Sequence, residues 1–242
     1  MRIIGLGQET AERYQTMNQF TCGYCNKSFV KEKTLAVHVC EKKRRHLAKN
    51  EKNVQAGLLT YQKFYELSQP GCKKKTFEDF VDSSYYNAFV RFGSFVVNAN
   101  PIFPERFIDW VIRSGVKLDH WCRDELYEKY LLELIKTEPA DGAIQRTIKT
   151  MMDWADKNQA QWEHYFCYAT SNRITHDVKE GKISPWLLLN TKSGKKVLFD
   201  MTDEQLEIIG TIIDPQFWSK KFKTSPADLE LVKDIIKEAK IQ

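Results

Sequence analysis

The chain has 242 residues, 42% of them hydrophobic and 29% charged, a composition that excludes a disordered or low-complexity polymer. Its net charge of +5 falls well short of a surface given over wholly to nucleic acid. Six cysteines, three of them in one short segment and three scattered (Cys72, Cys122, Cys167), exclude a disulfide scaffold and suit a reducing compartment.

The opening stretch, MRIIGLGQETAERYQ, holds an apolar run too short for a signal peptide and turns polar at once. No window approaches the ~18 apolar residues of a membrane span. The expectation is a soluble intracellular chain with no membrane contact.

Residues 20–46 read FTCGYCNKSFVKEKTLAVHVCEKKRRH. Cys22 and Cys25 sit two residues apart, His38 follows, and Phe29 and Leu35 fall between, where a small finger needs its two core side chains. A thiolate pair on a tight turn and an imidazole on a following helix supply three ligands of a tetrahedral zinc site. The plainer alternative is two buried thiols and a surface histidine, but a segment this small needs a metal to hold its shape. The spacing resembles the CCHH zinc-finger family over residues 20–46, with a variant fourth ligand. That resemblance implies a hairpin carrying Cys22 and Cys25, a helix carrying His38, and one structural Zn2+.

The family's last ligand would fall at Lys42, Lys43 or Arg44, none of which binds zinc in this role. The donors on offer are Cys40 and His46. In a continuous helix His46 lies ~12 Å of rise beyond His38, too far for zinc bonds of about 2.0–2.3 Å unless the helix unwinds. Cys40 faces the opposite side of an ideal helix and needs only that the helix end or distort near Val39. Cys40 is therefore preferred and His46 is the alternative. Three thiolates and a neutral imidazole leave the zinc site at −1, which Lys42, Lys43, Arg44 and Arg45 would offset.

The base-reading positions of that family hold Lys31, Thr34 and Val37 here. Val37 offers no hydrogen bond, and one finger spans about three base pairs, so sequence-specific readout is not expected. The run from Lys42 to Lys52 carries six positive charges and one negative. Lys31, Lys42, Lys43, Arg44, Arg45 and Lys49 are the candidates for contacts with phosphates or with an acidic partner. The plainer reading is a solvated helical extension that neutralises the thiolates.

Beyond the finger, helical periodicity dominates. Residues 54–68 place Leu58, Leu59, Tyr61, Phe64, Tyr65 and Leu67 on one apolar stripe, ended by Gln69-Pro70-Gly71. Thr76 opens a further helical stretch, and residues 77–98 fit one buried helix whose aromatic residues form core rather than a base-stacking platform. ERFIDWVIRS makes a short helix stopped by Gly115. Residues 119–136 and 143–169 read as two long amphipathic helices. From Ser184 the texture changes to two short strands around a Ser193-Gly194 turn. Thr202 and Gln205 form a capping-box pattern, Asp214-Pro215 and Ser225-Pro226 start the last two helices, and Leu229, Leu231, Val232, Ile235 and Ile236 share a face. The expected class is mainly α: a zinc-stabilised ββα finger with its basic extension (1–50), a helical body (51–183), and a β-hairpin with C-terminal helices (184–242).

No phosphate-binding glycine loop, GxSxG elbow or HExxH occurs. His120, His164 and His176 are isolated; His164 reads as a core or boundary residue and His176-Asp177 as a helix-surface pair. No enzyme and no small-molecule substrate are expected. The run HVCEKKRRHLAKNEKNVQAGLLTYQKFYEL, within residues 20–69, resembles small zinc-finger-bearing proteins of T-even-like tailed phages; ITHDVKEGKISPWLL and IIDPQFW are in keeping with that group. The resemblance implies a host-cytoplasmic or virion location. It also implies one of two roles: a tail, neck or baseplate component docking on other proteins, or a nucleic-acid-binding accessory of phage replication, recombination or transcription.

Overall fold

Two short strands, β1 (Phe20–Thr21) and β2 (Ser28–Phe29), pair antiparallel with Phe20 opposite Phe29. They begin the described part of the structure, a computed structural model describing residues 20–241. The N-terminal stretch inspected for a signal peptide lies outside the described residues. Among those described, fifteen α-helices and this single two-stranded sheet make a mainly α fold. No described helix is long and apolar enough to cross a membrane.

The chain divides into two units. The first runs to Pro101 and takes in Lys117–Cys122; the second comprises Ile102–Val116 and the chain from Arg123 onward.

In the first unit the strands are followed by α1 (Glu32–Ala36), α2 (Glu41–Leu47), a 3-10 turn (Ala48–Asn50) and α3 (Lys52–Ser68). Then come α4 (Phe77–Asp82) and α5 (Tyr86–Ala99). The single helix expected over residues 77–98 is thus two. Ser83 adopts an extended conformation after Asp82, and its hydroxyl accepts the Tyr85 N–H at 3.1 Å, which breaks the helix. Helices α3 and α5 pack backbone to backbone through two glycines. A Cβ on Gly93 would fall 2.1 Å from the Asn53 carbonyl oxygen, and one on Gly57 would fall 2.9 Å from that of Phe89. Phe80, Phe89, Phe92 and Trp121 are fully buried around this contact, with Tyr61 edge-on to Phe89. The aromatic-rich segment is core.

The second unit begins with α6 (Pro104–Arg113), which stops before Gly115 at φ +70°. Of the stretch 119–136, Asp119 lies in a separate 3-10 turn (Leu118–His120), and α7 spans Asp124–Thr137. Helix α8 (Ala140–Asn158) ends where Gln159 turns left-handed at φ 52°, so residues 143–169 are not one helix. A 3-10 turn (Trp162–His164), α9 (Tyr165–Tyr168) and α10 (Ser171–Lys179) follow.

The expected C-terminal hairpin is absent. Its residues form α11 (Pro185–Leu188) and α12 (Lys192–Phe199). Ser184 and Thr191 are helix caps, accepting the N–H groups of Trp186 and Gly194. Gly194 is not a turn residue: a Cβ there would meet the Leu188 carbonyl oxygen at 2.3 Å. Pro185 to Leu188 are all buried, a continuous apolar run with no alternation to distinguish strand from helix. Helices α13 (Asp203–Ile209), α14 (Pro215–Thr224) and α15 (Pro226–Glu238) complete the unit, with the Thr202–Gln205 capping box formed. On α15, Val232 is buried and Leu231 exposed.

Two buried polar clusters lie in this unit. Arg146 pairs with Glu138, and its Nε donates to the Gly181 carbonyl at 2.7 Å. Asp177 is wholly buried rather than on a surface with His176: the Tyr165 hydroxyl (2.7 Å) and Arg173 Nε (2.5 Å) both donate to its Oδ2. Burial, and then the charge of Asp177, push the Tyr165 phenol far above its ordinary value.

Candidate metal centre

Four side chains from the first unit converge. Ligand atoms of Cys22, Cys25, His38 and Cys40 all lie within 4.8 Å of one another, and the Cys25 sulfur is 3.3 Å from His38 Nε2. Tetrahedral coordination at zinc bond lengths requires ligand–ligand edges of about 3.3–3.8 Å. The donor set suits a metal ion of the zinc class, and the Cys25–His38 edge has the length such coordination needs.

Local structure explains the convergence. Between β1 and β2 the chain folds back tightly: the Asn26 N–H donates to the Cys22 carbonyl, the Cys22 N–H donates to that of Lys27, and Asn26 takes φ 57°. This turn aims the N–H groups of Cys25 and Tyr24 at the Cys22 sulfur, and those amides hold its thiol below the ordinary value. The Lys27 N–H pulls the Cys25 thiol down too. Burial and the neighbouring Cys22 and Cys40 sulfurs outweigh it, so Cys25 sits above its ordinary value. Uncompensated thiolates at this distance repel one another, and a bound dication would remove that conflict.

The helix breaks before the third ligand. Helix α1 stops at Ala36, with Val37 as its C-cap, so His38 lies past the helix and not on it as the family resemblance implied. Cys40 is extended at φ −80°, ψ 166° and caps α2, its sulfur accepting the Lys43 N–H at 3.4 Å. The break needed for Cys40 thus occurs, between residues 36 and 41, and the following helix N-terminus faces the sulfur. Phe29 packs its ring 4.7 Å from His38, and Leu35 is half-buried.

His46 lies outside this group. Its ring is 5.1 Å from that of Tyr24, on the cysteine turn, and 5.6 Å from that of Phe77, on α4. It is an aromatic bridge between the metal site and the body of the first unit. Among the described residues, His120, His164 and His176 join no comparable group.

The basic run is largely used within the chain. Lys42 pairs with Asp82 at 2.6 Å, and Lys43 Nζ donates to the His38 carbonyl at 3.3 Å. Arg45 binds Glu41, donates to the carbonyls of Val81 and Ser83, and stacks over Tyr86. Lys49 lies over the Phe77 ring at 4.9 Å. Lys31 and Arg44 are exposed, and among the described residues neither side chain makes a hydrogen bond or ion pair. Tyr24, Phe77, Asp82 and Val81 were not legible as parts of this assembly. Phe77, Val81 and Asp82 lie 28 to 40 positions beyond the basic residues they meet, and no local spacing announces them.

No protein family, curated protein or solved structure matches the chain.

Proposed function

We propose that Cys22, Cys25, His38 and Cys40 hold one structural Zn2+, and that the finger so fixed is a non-enzymatic module for docking on other proteins. The setting proposed is a virion or assembly component of the tailed-phage type that residues 20–69 resemble. The observation that carries the reading is the closure of three sulfurs and one imidazole, with a backbone N–H directed at each sulfur. Such a site holds shape; its four protein ligands leave no open position for a catalytic water. The second support is the fixing of the finger by Lys42, Arg45 and His46 onto α4, which gives it one orientation on the first unit.

A nucleic-acid-binding accessory role is the second reading. Residues 20–50 carry eight Lys or Arg against two Glu, a net +6 against +5 for the whole chain. Five of the eight, however, are engaged within the chain: Lys42, Lys43, Arg45 and Lys49 as described above, and Lys27 over the Phe29 ring.

The test is metal analysis of the purified protein together with a salt series on a non-specific duplex. One zinc per chain and little duplex binding at low salt are the expected results. A metal-free protein would remove the zinc reading. Tight duplex binding that falls steeply with salt, from a protein missing from assembled particles, would replace the docking role by the nucleic-acid one.

A further inference from the structure

The finger leaves apolar and positively charged side chains exposed on and beside α1. No residue of α1 is buried. Val30, Val37 and Val39 are 65%, 78% and 55% exposed, although a finger of this size has few apolar side chains to spare. Helical spacing places Val37 on one face with Lys33 and Thr34, and Lys31 stands at the N-cap of the same helix. Neither Lys31 nor Lys33 makes a side-chain hydrogen bond or ion pair among the described residues, whereas Lys42, Lys43 and Arg45 do and Lys49 lies over the Phe77 ring.

We propose that the outer face of α1 docks an acidic, amphipathic segment of a partner protein, whose apolar side chains cover Val37 and its neighbouring valines while its carboxylates meet Lys31 and Lys33. The proposal rests on the docking reading above and names its surface and the chemistry of its partner. Charge complementarity selects an acidic occupant, since Glu32 is the sole acid on α1 and both lysines are free to pair. The valines select a protein over a nucleic acid: a phosphodiester has nothing apolar to cover them. With Lys31, Lys33 and Arg44 as the cations of residues 20–50 that have no partner among the described residues, the finger would gain about three phosphate contacts on a duplex, a log–log salt slope of about −2.7. Binding carried by valine burial changes far less with salt.

The test uses the full zinc-loaded chain and a fluorescein-labelled helical peptide of leucines and glutamates, read by anisotropy, with a non-specific duplex as competitor. The expected result is saturable peptide binding, weakened about tenfold or more by Val37→Glu and by Lys33→Glu. Phe199→Glu, which removes an exposed aromatic on α12 of the second unit, leaves it unchanged. Zinc content of each variant is measured first, so loss of the finger is separated from loss of the surface; a variant that drops its zinc is replaced by Lys31→Glu. Peptide affinity untouched by these changes in zinc-loaded protein overturns the proposal while leaving the zinc site standing. So does full displacement of the peptide by duplex, which assigns the face to nucleic acid. Self-association abolished by Val37→Glu also overturns it, assigning the face to a second copy.

Discussion

A guanidinium nitrogen of Arg45 lies 2.5 Å from the carbonyl oxygen of Val81, thirty-six positions further along the chain. The same guanidinium reaches the Ser83 carbonyl and stacks 4.4 Å over the Tyr86 ring, so one side chain ties the helix after the metal site to both α4 and α5. A charged donor to a carbonyl contributes about 1.5–3 kcal/mol. Arg45→Met is expected to lower stability by about 2 kcal/mol in urea unfolding. Arg45→Lys should recover little, because a point charge cannot serve two carbonyls and an aromatic face together. A methionine variant as stable as the parent would show that the clamp contributes nothing.

Cys40 and His46 separate ligation from packing. Cys40→Ser removes a sulfur of the four-atom cluster, and zinc affinity should fall by at least about tenfold in competition with a chromophoric chelator. His46→Ala leaves the cluster whole and should retain zinc, while hydrogen exchange quickens in α2 and α4 because the Tyr24–His46–Phe77 bridge is gone. The reverse ranking of zinc affinities would move the fourth ligand to His46.

Two glycine-to-alanine changes should have opposite signs. Gly93→Ala drives a methyl group into the Asn53 carbonyl and the Gly57 amide across the α3–α5 contact, costing about 3 kcal/mol. Gly142→Ala, in α8 with open space around its Cβ, should stabilise by about 0.5–1 kcal/mol. Thermal unfolding of the two variants reads both shifts, and a harmless Gly93→Ala would mean that the helices are not in backbone contact.

The Arg146–Glu138 pair is almost inaccessible to water. Arg146→Met strands a buried carboxylate and frees the Gly181 carbonyl, with an expected cost of about 3–5 kcal/mol. The double variant Arg146→Met, Glu138→Leu should recover much of that loss. Equal losses in the single and double variants would rule out charge burial as the cause.

The cap of α4 carries an acid dependence. Asp79 accepts the Thr76 N–H at 2.8 Å and the Thr76 hydroxyl at 3.0 Å, with Lys75 and Lys73 nearby, and its carboxyl is held below the ordinary range. The folded value is thus the lower one. The stabilisation is fully present above the unfolded value of about 3.9 and is lost as pH falls through the folded value. Asp79→Asn should flatten stability against pH in that window. An acid-unfolding curve unchanged by the substitution would refute this linkage.

The cysteine pair, the histidine and the two core positions Phe29 and Leu35 were legible because metal ligation and capping obey short fixed spacings. The preference for Cys40 was legible for the same reason, since helical rise alone places His46 too far from His38. Helix starts at Thr76, Thr202, Asp214 and Ser225 followed from local cap chemistry, and the structure has them. Periodicity failed at residues 184–199, where a buried apolar run looks alike in strand and helix, and Gly194 serves close packing rather than a turn. It also failed to see breaks at Ser83 and Gln159, because an apolar stripe continues across a kink that a hydroxyl or a left-handed residue introduces. What local rules alone could not supply is the use of the basic run. Whether Arg45 meets a phosphate or the Val81 carbonyl depends on which distant backbone the fold brings within hydrogen-bond reach. The sequence by itself determined a candidate metal-ligand set; only tertiary packing decided which of its charges remain free for a partner.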